Sequence, residues 1–178
     1  MEQTLIGLIG VILGAILSGV FLESYKRHHD RQGTASAIAG EIHSILHFTQ
    51  RQHHVDHLDW FRNALVRLEN GEQVNIPEIF APPVQIDPVF AEYLDEIGSL
   101  RGTLPERITT FYTNLMSIRH DIRNLVDGKL DGDLAFKAAM IREDLALWEE
   151  TCRAGLALRD DLRAIAAASW PSWNKPLR

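Results

Sequence analysis

The chain has 178 residues, with 24 acidic and 18 basic side chains and a formal net charge of −6 at pH 7. This mildly acidic balance gives no electrostatic reason to expect a nucleic-acid partner, whose binding rests on many clustered Lys and Arg side chains. A single cysteine, Cys152, excludes an intramolecular disulfide. Beyond an apolar N-terminal stretch, about 155 residues remain, enough for one domain with a hydrophobic core.

The apolar stretch runs from Thr4 to Leu22, and no charged residue lies between Glu2 and Glu23. At about 1.5 Å per residue this stretch would span roughly 28 Å as a helix, close to the hydrocarbon thickness of a bilayer. We therefore predict a transmembrane anchor over residues 1–23. The alternatives are a buried core helix, which seldom lacks a polar face for so long, and a cleaved signal peptide, which needs a basic start.

Charges that flank this stretch predict its orientation. Lys26, Arg27 and Arg31 follow it, whereas only Glu2 and the terminal amine precede it. Because cytoplasmic flanks are enriched in Lys and Arg, the C-terminal domain is expected in the cytoplasm of a single-pass protein of the bacterial inner membrane. Lys26 and Arg27 are then candidates for the membrane interface.

Small residues repeat every four positions along the stretch, at Gly10, Gly14 and Ser18. This spacing allows two helix backbones to approach closely in lipid, so it predicts an anchor that associates with a second copy or with another membrane protein. The alternative is that glycine is simply common in membrane helices.

The next predicted helix covers residues 24–69, with residues 24–35 as a juxtamembrane stalk and residues 36–169 as the bundle domain. The small, polar stretch at 33–36 could be a hinge or a cap. Two apolar stripes are out of phase across residues 50–54, so the helix either breaks there or rotates its buried face. Asn70-Gly71 is predicted to end this helix. The stripes are Ile38, Ile42 and Ile45, then Leu58, Phe61, Leu65 and Leu68.

Residues 71–87 contain three prolines and no clear period, so we predict a loop there. Asp87-Pro88 is the predicted cap of a short helix that ends near Ile97. Thr103 and Glu106 have the spacing of a capping box. The helix behind them carries a heptad seam that ends at Asp127-Gly128, a pattern typical of knobs-into-holes packing. The seam consists of Leu104, Ile108, Phe111, Leu115, Ile118, Ile122 and Leu125.

The last predicted helix runs from about Asp131 to Ser169, and its short connection makes it an antiparallel neighbour of the heptad helix. Residues 170–178 form an irregular tail. The expected fold is all-α, an N-terminal transmembrane helix followed by an antiparallel helical bundle or coiled-coil hairpin. The apolar stripe of the last helix contains Leu134, Ala138, Ile141, Leu145, Trp148 and Cys152, then Leu158, Leu162 and Ile165.

Residues 93–98 (YLDEIG) and 108–112 (ITTFY) resemble a pattern in uncharacterised small bacterial membrane proteins that carry one span and a helical domain. The resemblance implies a similar layout of anchor and helices, and it implies no activity.

Histidine is unusually concentrated, with five of eight between His43 and His57. His43, His47, His54 and His57 form a stripe at helical spacing, and neighbours in such a stripe can share a divalent metal such as Zn²⁺ or titrate near neutral pH. The alternative is a solvated or packed face without ions, because a zinc site needs three or four ligands. Cys152 lies in an apolar stripe, which favours a core position.

The tail combines Trp170 and Trp173 with Lys175 and Arg178, residue types that favour a membrane interface, although the tryptophans could instead pack on the end of the bundle. No catalytic motif is present in the sequence, so a non-enzymatic role and no cofactor are expected. We interpret the chain as a membrane-anchored interaction or scaffold protein. The alternatives are a metal- or pH-responsive sensor module that uses the histidine stripe, and an envelope coiled-coil protein of the opposite topology.

Overall fold

The computed structural model describes residues 2–49, 52–77, 87–129 and 133–169, with the side chains of residues 2–17, 48, 49 and 52–57 left outside that description. All regular structure in these ranges is helical, which confirms the predicted all-α class. The helices are α1 (Glu2–Thr49), α2 (Gln52–Glu69), α3 (Pro88–Glu92), α4 (Leu94–Ile97), α5 (Leu104–Val126) and α6 (Leu134–Ala166).

Within the part of the chain that the structure describes, no helix is both long and apolar enough to cross a membrane. The whole predicted anchor stretch, residues 4–22, belongs to α1. The side chains of residues 4–17, which include Gly10 and Gly14, lie outside the description. The transmembrane element of the predicted fold therefore has no support from the structure and stays a prediction.

Helix α6 is the element against which α1, α2 and α5 all pack. Its C-terminal half contributes to a proximal cluster of buried side chains from α1, α5 and α6, and its N-terminal half contributes to a distal cluster with α2. The proximal cluster includes Ile38, Ile42, Leu46, Ile108, Phe111, Tyr112, Leu158 and Leu162. The distal cluster includes Phe61, Leu68, Ile76, Ala138 and Ile141, with Ile122 and Leu125 partly buried against it.

Polar contacts fix the directions of the helices along α6. The Gln32 side-chain amide donates hydrogen bonds to the carbonyl oxygens of Ala166 (3.1 Å) and Ala168 (2.6 Å), so the C-terminal end of α6 lies beside residue 32 of α1. Further along, Arg62 of α2 pairs with Glu149 at 3.2 Å. Both α1 and α2 therefore run antiparallel to α6, and α2 continues in the direction of α1. We call the end of the bundle near Gln32 the proximal end.

The predicted helix ends at the two glycines are confirmed. Gly71 has φ +79° and Gly128 has φ +65°, the left-handed conformation that glycine adopts without a Cβ penalty. After α2, the amide of Glu72 donates to the Arg67 carbonyl at 3.0 Å, which satisfies one of the last free carbonyls of the helix. The heptad seam of α5 is also confirmed, because its first five members are buried and its last two are partly buried.

Two local predictions are corrected by the structure. Thr103 makes no side-chain bond to the start of α5, because its φ of −88° and ψ of 3° are not the extended conformation that aims a capping oxygen at the helix. The predicted capping box is therefore wrong. Helix α1 also passes through Gly33 without interruption, and the next two residues, Thr34 and Ala35, are already buried.

Candidate functional site

A buried carboxylate, Glu41 on α1, joins three elements of the bundle. Only 8% of this residue is exposed. Its Oε1 accepts a hydrogen bond from the Val89 amide at 2.8 Å, and its Oε2 accepts one from the Phe90 amide at 2.9 Å. These amides belong to the first turn of α3, whose own N-cap residue, Asp87, makes no side-chain cap. Glu41 therefore caps α3 from a different helix.

The same carboxylate accepts a hydrogen bond from the Tyr112 hydroxyl of α5 at 2.6 Å. Tyr112 is fully buried, and its ring stacks on that of Phe90 with centroids 4.0 Å apart. Burial and the neighbouring Glu41 carboxylate raise the pKa of Tyr112 well above its usual value. The phenol therefore stays neutral and remains a donor. Asp87, released from capping, pairs instead with Arg119 at 3.1 Å.

Sequence reasoning missed Glu41, although its position carried a signal. It lies on the inner face of α1 between Ile38 and Ile45, where an apolar side chain would be expected. The partners that make this position tolerable come from α3 and α5, far away in the chain.

The histidine stripe is only partly within the described structure. His43 and His47 are both exposed on α1, with ring centroids 5.9 Å apart. The side chains of His54 and His57 lie outside the described residues. Over the residues that are described, no group of three or more His, Cys, Asp or Glu side chains could hold a metal ion. The described pair supplies two ligands, and further ligands would have to complete a zinc site.

An open groove of about 340 Å³ lies between α2 and α6. Cys152 lies on its wall, and burial with the nearby Glu149 raises the pKa of this thiol to about 11. The thiol is thus protonated at neutral pH and is a poor nucleophile. The groove is lined by Leu58, Arg62, Leu145, Trp148, Glu149, Cys152 and Arg153.

One carboxyl group titrates near neutral pH in the distal half of α6. Burial, followed by the negative charges of Asp121 and Glu143, raises the pKa of Asp144 to about 7. Its Oδ2 atom is buried and has no hydrogen-bond partner in the described part of the chain. Asp144 is therefore a proton-binding group within the interface of α5 and α6.

The residues predicted at the membrane interface divide between described and undescribed parts. Lys26 and Arg27 are exposed on α1, where Arg27 pairs with Glu23 at 2.8 Å. Trp170 and Trp173 lie outside the described residues. The bonds from Gln32 to Ala166 and Ala168 nevertheless place the C-terminal end of α6 at the proximal end of the bundle. Sequence alone left this direction open.

No family model, curated protein or solved structure matches the chain. A functional proposal therefore rests on the residues themselves.

Proposed function

We propose that the protein is a membrane-anchored helical interaction module whose partners are the lipid bilayer and a second copy or another membrane protein. The observation that carries this proposal is the continuity of α1, which extends as one helix from the uncharged stretch at residues 4–22 into the proximal cluster. A helix without an interruption would hold the bundle at a fixed distance from the anchor. The bundle would then present its surface close to the bilayer.

The position of the tail supports the same arrangement. Gln32 lies ten positions after Leu22 in the same helix, which corresponds to a rise of about 15 Å. Ala168, two residues before Trp170 in the sequence, accepts a hydrogen bond from Gln32, and tryptophan is enriched where a protein meets lipid headgroups. The proposal thus brings the C-terminal tail close to the membrane surface from which α1 emerges.

Membrane insertion is tested by introducing charged side chains at the centre of the anchor. Ile12→Lys/Ile16→Lys should shift the full-length chain from carbonate-washed membranes to the soluble fraction, because each central lysine opposes insertion by about 2.5–3.5 kcal/mol. Ser36→Lys, at an exposed position of α1, is the matched control and should stay in the membrane. A wild-type chain that is released by carbonate would refute the anchor.

Topology is tested separately with a reporter fused to the C-terminus. Lys26, Arg27 and Arg31 follow the anchor, so the bundle is expected in the cytoplasm. Activity of a periplasmic reporter would instead favour the envelope coiled-coil alternative.

Self-association through the anchor is tested in a membrane association assay. Gly10→Ile/Gly14→Ile should weaken a dimer signal, because the branched side chains keep the two backbones apart. Gly19→Ile adds one such side chain on another face of the helix and should leave the signal intact. An equal signal in all three chains would exclude the face formed by Gly10, Gly14 and Ser18 as the contact.

A second candidate function is metal or pH sensing by the histidine stripe, favoured by the 5.9 Å separation of the His43 and His47 rings. Zinc uptake by the full chain, measured by calorimetry, should fall in His43→Ala/His47→Ala. The control His29→Ala/His120→Ala also removes two histidines and should bind as the wild type does. Equal uptake in both variants would reject this candidate.

A further inference from the structure

The inward-facing side chains of α1 change from apolar to polar or cationic at the proximal end of the bundle. Ala35, Ile38 and Ile42 are buried there at alternating steps of three and four. The same row extends toward the N-terminus through Arg31 and His28, so cationic or polar side chains occupy the inward-facing positions beyond the apolar core. Both residues are half-buried, unlike the exposed Lys26 and Arg27.

Two hydrogen-bonding atoms in this row have no partner. Arg31 Nε and His28 Nε2 are shielded from solvent and make no hydrogen bond to any described residue. A buried donor without an acceptor is unfavourable by about 1–3 kcal/mol in proteins generally, so such atoms point to a group that binds there.

Arg31 has cationic neighbours. Burial, followed by the charges of Arg101 and Arg27, lowers the pKa of Arg31. Arg101 directly follows Leu100, which is buried in the same cluster as Ala35 of α1. Two carboxylates at this end have their own partners: Glu23 pairs with Arg27, and Glu96, which keeps its negative charge, accepts a hydrogen bond from the Thr34 hydroxyl at 2.8 Å. An anion is therefore the ligand class that this surface favours.

We propose that Arg31, Arg101 and His28 form a binding site for a phosphate group, supplied by an anionic lipid headgroup or by free phosphate. Guanidinium groups bind phosphate oxygens through paired, charge-assisted hydrogen bonds, and a ring N–H of an imidazole adds another donor. Arg101 is contributed by the connection between α4 and α5, so a bound phosphate would link that connection to α1. The lipid form of this proposal rests on the proposed membrane anchoring, whereas the free-phosphate form does not.

The position along α1 favours the lipid headgroup as the source. His28 and Arg31 follow Leu22 by six and nine residues, which places their Cα atoms roughly 9 and 14 Å beyond the apolar stretch. Side chains on a helix lean toward its N-terminus, so both would reach back toward the headgroup layer, which adds about 5–8 Å on each side of the hydrocarbon core.

The test compares thermal unfolding of the full-length chain in nanodiscs of two compositions. A mixture of phosphatidylcholine and phosphatidylglycerol should raise the unfolding midpoint by about 2–4 °C over phosphatidylcholine alone, because a ligand that binds only the folded state stabilises it. The same chain in neutral detergent is titrated with inorganic phosphate at constant ionic strength. A shift with phosphatidylglycerol alone identifies the headgroup as the source, and a shift in both arms identifies phosphate in either form.

Variants separate a specific site from general attraction of charge. Arg101→Gln alone, on an exposed side chain, and Arg31→Gln/Arg101→Gln should each abolish the phosphatidylglycerol-dependent shift. Lys137→Gln/Arg153→Gln removes the same charge outside the proposed site and should retain it. Each shift is taken within one variant, so a lower basal midpoint does not affect the comparison.

The site is refuted if the wild type shows no shift in either arm, or if the two double variants behave alike. Failure to enter nanodiscs of either composition would refute the anchor instead, and the detergent arm would still test the site.

Discussion

Replacing Glu41 with alanine would remove three acceptor contacts from the bundle at once. The Tyr112 hydroxyl would be left fully buried without an acceptor, and the amides of Val89 and Phe90 would lose the cap of α3. An unpaired buried donor costs about 1–3 kcal/mol. Loss of a helix cap costs typically about 1 kcal/mol, up to about 2.

These contributions give a decrease of about 2–5 kcal/mol in the free energy of unfolding, against a typical total of about 5–15 kcal/mol. The corresponding fall in the unfolding midpoint is roughly 4–20 °C for a chain of this size. Urea titration followed by circular dichroism measures the first quantity, and a thermal scan measures the second. The matched control is Glu150→Ala, which removes an exposed carboxylate of α6 and should change stability by no more than about 0.5 kcal/mol.

Two further measurements separate the three contacts. Hydrogen exchange at Val89 and Phe90 should accelerate in Glu41→Ala, because their amides lose an acceptor. A double-mutant cycle with Tyr112→Phe should give a coupling energy of about 0.5–3 kcal/mol. If Glu41→Ala is as stable as Glu150→Ala and both amides stay protected, the carboxylate is not the link between the three elements.

Three other changes test the packing and electrostatics of α6. Gly155→Ala would place a Cβ 2.5 Å from Cε2 of Phe111. Urea titration should therefore show a net decrease of about 0.5–2 kcal/mol in the free energy of unfolding, after the gain in helix propensity. The same substitution in a Phe111→Leu background should cause no such decrease. The pKa of Asp144, raised from 3.8 to about 7, means that the folded state binds the proton more tightly. Stability should therefore fall as pH rises from about 4 to about 7, and Asp144→Asn should reduce that slope in urea titrations across this range. Gln32→Met should lower stability by about 1–2 kcal/mol and accelerate hydrogen exchange in the last turn of α6, because two carbonyls lose their donor.

Each of these three predictions has an outcome that would contradict it. A Gly155→Ala chain that is more stable than the wild type would mean that the Phe111 ring moves aside freely. Equal pH slopes with and without the Asp144 carboxyl would show that another group carries the titration. Unchanged exchange in the last turn of α6 in the Gln32→Met chain would show that the Gln32 amide does not hold the end of this helix.

Periodic features of the bundle were predictable from the sequence. The α5 seam is a local pattern with a spacing of three and four, and the burial of Ile108 and Phe111 follows from it directly. The glycine at position 71 marks the end of α2 because the backbone there needs a left-handed conformation. Both signals depend only on residues close to each other in the chain.

Features that depend on distant partners were not predictable. Asp87-Pro88 has the composition of a self-contained helix cap, yet the Asp87 carboxylate pairs with Arg119 and the cap comes from Glu41. The orphaned atoms of Arg31 and His28 likewise depend on how α1 meets the rest of the bundle. A charged residue within an apolar row shows that a partner is needed, but it does not identify the partner.

The core divides into two clusters along α6, a proximal unit packed with α1 and α5 and a distal unit packed with α2. Among the described residues, the distal unit has fewer buried side chains, and it contains Asp144 beside Ile141 and Leu145. A rise of pH from about 4 to about 7 is therefore expected to weaken the distal unit, where α2 packs, more than the proximal unit, which contacts α1. In the proposed anchored arrangement, loosening of the distal unit would leave the contacts of α1 with the proximal unit unchanged.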